Sequence, residues 1–172
     1  MQTDPRALIL TLRFDPDTFD TLAALRRAHF PAAMDIVPVH LTLFHHLPGL
    51  ERDAVEAAVR REASRHGPIP LLFGRVRSLG RGTAFDVEAP TLVALRAALA
   101  REFAGSLTPQ DRQGFRPHVT IQNKVGPDEA RALQRRLGET FAPWSGVGTG
   151  LLLWRYLSGP WGLEAEAGFS GA

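Results

Sequence analysis

The 172-residue chain has no cysteine. That excludes disulfides, thiol nucleophiles and zinc held by thiolates. Lysine is nearly missing as well: Lys124 is the only one among 20 basic residues, the rest being arginine. Arginine forks match phosphate well, yet an Ala- and Arg-rich chain follows equally from genome composition. The net charge of +2 is too small to argue for nucleic acid by itself. No apolar run approaches the roughly 20 residues of a membrane span. The N-terminal "MQTDPRALILTLRF" carries an acidic residue and a proline, with no basic stretch before a long apolar core, and so does not read as a signal peptide. The expectation is a soluble cytoplasmic protein without a membrane partner, monomeric by default. A hydrophobic fraction of 44% suits one compact domain or two small lobes sharing an interface.

What is present is a pattern that recurs. "ALILTLRF" (7–14) reads as a strand, and Asp15-Pro16 supplies an N-cap and a first-turn proline for a helix to about His29, closed by Pro31. A strand around 38–44, a helix over 51–66 stopped by Gly67-Pro68, and a strand over 69–79 follow. The order then repeats: strand 83–89, helix 91–104, a polar loop, a strand at "RPHVTIQNKV", a helix from Gly126-Pro127-Asp128 to about Leu137, and a strand over 149–157. A last strand near 161–168 closes the chain. The expected architecture is a single α+β domain over 1–172. Its pseudo-repeat halves, about 6–79 and 82–158, form two pseudo-symmetric lobes with antiparallel sheets facing a central cleft and helices outside.

Each half carries one polar pair on an otherwise apolar strand. "HLTL" at 40–43 is answered by "HVTI" at 118–121. Strand periodicity puts His40 and Thr42 on one face, with Leu41 and Leu43 on the other; His118 and Thr120 stand likewise against Val119 and Ile121. In-line displacement at phosphorus needs a base on the entering oxygen and an acid on the leaving oxygen, on opposite sides of the phosphate. Two histidines, one neutral and one protonated near neutral pH, supply both without a metal or other cofactor. Threonine hydroxyls can donate to the non-bridging oxygens.

"PVHLTLFHHLPG" and "FRPHVTIQNKV" resemble the paired H-x-[ST]-x motifs of the two-histidine (2H) phosphoesterase superfamily, and the chain looks most like its LigT / 2′-5′ RNA ligase branch. The resemblance implies a bilobal fold and metal-independent chemistry on 2′,3′-cyclic phosphates or 2′,5′ linkages of nucleotides or RNA ends. It makes His118 the base that activates water and His40 the acid on the leaving oxygen, with Thr42 and Thr120 holding the phosphate. The alternatives are 2′-5′ RNA ligation by the same pair run backward, or a non-catalytic module that binds an RNA end or nucleotide. One departure weakens the polynucleotide reading: many such proteins follow the second motif with a small residue and an arginine, where this chain has Gln122-Asn123-Lys124.

Further candidates for substrate contact are Arg116, which shares the His118 face if the strand already runs there, then Arg13, Trp154 and Tyr156. Phe85 could stack a nucleobase at the cleft or pack in the core. His45 and His46 stand too awkwardly along the strand to converge with His40 on a metal, and read as rim residues.

Overall fold

The computed structural model describes residues 4–172. Prolines start four of the five helices, where a missing N–H costs nothing and the fixed φ suits the first turn. They are Pro16 of α1 (Pro16–His29), Pro90 of α3 (Pro90–Glu102), Pro109 of the short α4 (Pro109–Arg112) and Pro127 of α5 (Pro127–Thr140). The remaining helix, α2 (Arg52–Ala63), follows a single 3₁₀ turn. Side-chain caps reinforce α1 and α4, where Asp15 and Thr108 accept from Thr18 N and Asp111 N. No helix of the described residues is long and apolar enough to cross a membrane.

Seven strands form one antiparallel sheet: β1 (Leu8–Phe14), β2 (Thr42–Leu47), β3 (Ile69–Ser78), β4 (Thr83–Glu88), β5 (His118–Gln122), β6 (Trp144–Tyr156) and β7 (Trp161–Gly168). Their order is β2-β1-β6-β3-β4-β5, with β7 also paired to β6. Read backward, this is the same order with β1, β2 and β3 exchanged for β4, β5 and β6. Each half thus lends its third strand to the other. The sheet curls, so the two end strands, β2 and β5, are drawn towards one another across the concave side. The α+β fold matches the expectation.

The core lies behind β1, β2 and β6. Leu8, Leu10 and Leu12 point into it with Leu41, Leu43, Phe44, Leu151 and Leu153, while Thr11 and Thr42 pair in register on the opposite face. The same core continues beneath β3 and β4, where Phe73 stacks on Trp144 at 4.0 Å and Phe85 packs against Phe141 at 5.7 Å.

Three elements depart from the sequence reading. β2 runs over Thr42–Leu47 where a strand is expected around 38–44, so His40 precedes it. β6 begins at Trp144, five residues before the expected strand. Alternating glycines at 146, 148 and 150 resemble a loop, but they mark close neighbours on a strand. A Cβ on Gly146 would lie 2.7 Å from the Thr18 side chain, and one on Gly150 would lie 2.6 Å from the Ala167 carbonyl oxygen. The loop before β5 contains α4, too short for any periodicity to announce.

Candidate active site

His40 lies in the extended segment just before β2, and His118 is the first residue of β5. Burial alternates as strand periodicity requires. His40, Thr42, His118 and Thr120 are half-buried, and Leu41, Leu43, Val119 and Ile121 are buried behind them. The apolar residues anchor each strand, leaving the polar pairs on the concave face.

The two imidazoles are held alike. Nδ1 of His40 donates to the Pro38 carbonyl at 2.7 Å, and Nδ1 of His118 donates to the Arg116 carbonyl at 2.9 Å. A carbonyl can only accept, so each ring carries its Nδ1 proton and leaves Nε2 free. When neutral, each Nε2 is a base; when protonated, an acid. A main-chain bond two residues back has therefore prepared both groups for proton transfer.

Both histidines resist protonation in the unliganded protein. Burial pulls the His40 pKa down to about 4, with the Pro38 bond opposing and the charges of Arg26, His45 and His118 adding to the fall. Burial also lowers His118, opposed by the Arg116 carbonyl and by Asp86, and assisted by Arg77 and His45. An anion in the cleft would reverse these influences.

Two helix arginines reach across to the histidine strands. Arg26 of α1, 4% exposed, donates to the Thr120 carbonyl at 3.4 Å and pairs with Asp35 at 2.6 Å. Arg96 of α3, 8% exposed, donates to the carbonyls of Leu43 at 3.2 Å and Asp111 at 2.6 Å. Each helix thus braces a histidine strand, and each guanidinium lies over an aromatic ring, Phe30 for Arg26 and Phe44 for Arg96.

The surroundings of the two histidines differ. A cavity of about 330 Å³ is lined by His40, Thr120, Arg26, Asn123, Lys124 and Tyr156, among others, with Phe30, Ile36 and Val37 giving it an apolar wall. Trp161 packs on the His40 ring at 4.7 Å. On the other side, a cavity of about 460 Å³ is lined by Arg75, Arg77, Arg116, Asp86, Glu88 and Phe115. It adjoins His118 through Asp86, its register partner, and Arg116.

The remaining candidates fall into three groups. Tyr156 and Arg116 line the cavities just described. Trp154 turns its Nε1 to Thr11 Oγ1 at 2.9 Å and stands behind Trp161, and Arg13 is committed to Glu166 and Thr149. Phe85 is a correction: it is 2% exposed, on the core face beside Val119, and offers no surface to a base. His45 donates through Nδ1 to Asp111 at 3.1 Å.

Sequence reasoning missed Arg26, Trp161, Asp86 and Asp111. Arg26 had a readable signal, since it falls one turn after the buried Leu22, on the apolar side of α1. The others act through contacts across the sheet that no local pattern reveals.

Comparison with known proteins identifies the fold and the family. The chain resembles solved structures described as a phosphoesterase (20% identity, 97% of this chain and 99% of that one, TM-score 0.66) and as TT0787 of Thermus thermophilus (19%, 96% and 98%, 0.66). It also resembles E. coli LigT complexed with 3′-AMP (18%, 97% and 99%, 0.63). At these identities the likeness is one of fold. No curated protein matches the chain. A family model, the 2′-5′ RNA ligase superfamily, matches residues 14–160. With most of its length under that model and its fold shared with LigT, the chain belongs to the 2′-5′ RNA ligase superfamily.

Proposed function

We propose that the protein is a phosphodiesterase that opens 2′,3′-cyclic phosphates or cleaves 2′,5′ linkages of nucleotides or RNA ends. The observation that carries this reading is the matched pair of Nδ1–carbonyl bonds, which leaves two Nε2 atoms prepared for proton transfer. A module that only binds has no need of two such groups. His118 takes a proton from water as the water oxygen attacks phosphorus. His40 delivers its proton to the departing ribose oxygen, and the hydroxyls of Thr42 and Thr120 donate to the non-bridging oxygens as their charge grows. Because burial holds His40 unprotonated in the empty site, its proton arrives with the anionic substrate. The two halves, 6–79 and 82–158, act as symmetric arms, one for each side of the phosphate.

Two findings support a nucleotide or RNA terminus as the partner. E. coli LigT, of the same fold, was solved with 3′-AMP and, in a separate structure, with phosphate. The family name supports a second reaction, 2′-5′ ligation, in which an RNA hydroxyl replaces water. Hydrolysis of the four nucleoside 2′,3′-cyclic phosphates in EDTA, from pH 5 to 9, tests the first reading. Turnover lost in both His40→Ala and His118→Ala is the expected result. Its absence in folded wild-type protein would overturn the reading for mononucleotides, and joining of tRNA halves by the same protein would favour ligation.

A further inference from the structure

Asp111, in the first turn of α4, has a side chain only 1% exposed. Burial alone would push its carboxyl up, but bonds from His45 and His46 more than reverse this and hold it below the usual carboxylate range. His45 N donates to both oxygens at 2.9 and 3.1 Å, His46 N to one at 2.9 Å, and His45 Nδ1 to the other at 3.1 Å. Arg96 holds the Asp111 main chain in place from behind. The His45 side chain, in contrast, is 46% exposed. Its ring is thus oriented as those of His40 and His118 are, with Nε2 free, but its Nδ1 partner is an anion. A carboxylate is the stronger acceptor of the two and holds the ring more firmly than a carbonyl does.

The strand has been bent to put His45 where it is. Leu8, Leu10 and Thr11 of β1 pair with Leu47, Phe44 and Thr42, so β2 holds two extra residues over this stretch. In an unbroken strand His45 would share the core face of Leu41 and Leu43. The two irregularities instead bury Leu43 and Phe44 together and turn His45 and His46 out together. His45 thereby joins the face of Thr42, and its charge weighs on both His40 and His118. Of the other cations nearby, Arg26 is matched by Asp35, Arg13 by Glu166, and Arg75 and Arg77 by Asp86, while Arg116 and Lys124 stand on the cavity walls.

We propose that His45, held by Asp111, is a third substrate-contacting histidine, whose Nε2–H donates to a non-bridging phosphate oxygen and supplies the site with positive charge. This rests on the phosphodiesterase reading and gives the phosphate a cationic partner distinct from the acid/base pair. His45 donates a hydrogen bond and takes no part in the proton transfer. Its bond strengthens as the cyclic diester, with one negative charge, becomes a monoester with nearly two.

Long-range ¹H–¹⁵N spectra of the histidine rings, titrated from pH 5 to 9 with and without inorganic phosphate, test this directly. Phosphate is expected to shift the His45 ring nitrogens and raise the His45 pKa, together with those of His40 and His118. His45→Gln, at an exposed side chain, is expected to fold, to weaken phosphate binding about tenfold, and to raise KM for a 2′,3′-cyclic nucleotide similarly. It should also move the acid limb of kcat/KM to higher pH, because a charge that disfavours protonated His40 and His118 is gone. Phosphate that shifts His40 and His118 but not His45 would overturn the proposal and leave the phosphodiesterase reading intact. Phosphate that moves none of the three would overturn both.

Discussion

The two histidine strands share a motif, a burial pattern and a main-chain bond, yet their neighbourhoods differ. Around His40 one wall is apolar: Trp161 covers the ring, and Ile36, Val37 and Phe30 close the adjoining cavity opposite Arg26, Asn123 and Lys124. Around His118 the walls are charged, with Arg75, Arg77 and Arg116 against Asp86 and Glu88. A symmetric fold has been given asymmetric surroundings, and that asymmetry can divide two identical side chains into different roles. His40 loses its proton chiefly to desolvation. At His118 burial leads again, and there the flanking Arg77 and Asp86 pull in opposite directions.

The most severe test of the comparison removes each histidine. His40→Ala and His118→Ala are each expected to lower kcat/KM for a cyclic nucleotide by about 10³-fold. The double variant should be little worse than either single one, since the two act as a unit. A tenfold difference between the single variants would show that one proton transfer dominates. Thr42→Val and Thr120→Val come next, at about 10²-fold each. Equal losses would mark a symmetric phosphate clamp, and unequal ones would extend the asymmetry to the threonines.

Smaller changes should separate the neighbourhoods themselves. Trp161→Ala admits water to His40, so its pKa should rise and one limb of the pH–rate profile should move to higher pH. Asp86→Asn removes a group that favours protonated His118 and leaves Arg77 unmatched, so the His118 pKa should fall and its limb should move the other way. Identical movement in both variants would show that the histidines titrate as one coupled pair. The smallest expected effect is on stability. A histidine whose pKa is depressed by folding binds fewer protons native than unfolded, so its contribution is complete above pH 6.5 and is lost as pH falls towards 4. The Tm should drop by a few degrees over that range, and His40→Gln should flatten part of the slope in thermal scans.

The histidine and threonine pairs were legible in the sequence because a period of two is a local property. It needs only that residues 40–43 and 118–121 be extended. The repeat of strand and helix was legible for the same reason, helped by prolines at helix starts. Phe85 was not settled, because an aromatic on a strand faces core or cleft according to its partners, and those lie on β5. The early part of β6 was missed because its glycines answer to Thr18 and Ala167, far away in the chain. The reading of His45 as a rim residue fits its exposed side chain, but the bulge that turns it outward leaves no mark in composition. The register with β1 reveals it.

The carbonyl oxygens of Pro38 and Arg116 that orient the two imidazoles belong to the main chain. Point mutation changes side chains and leaves main-chain oxygens where they are. The proton-transfer geometry is therefore insulated from most of the substitutions that remodel the two cavities on either side of it. Natural variation can exchange an apolar wall for a charged one, or resize a pocket for a different nucleotide, while the reacting groups keep their aim. A scaffold built this way can diversify in substrate without having to rediscover its chemistry.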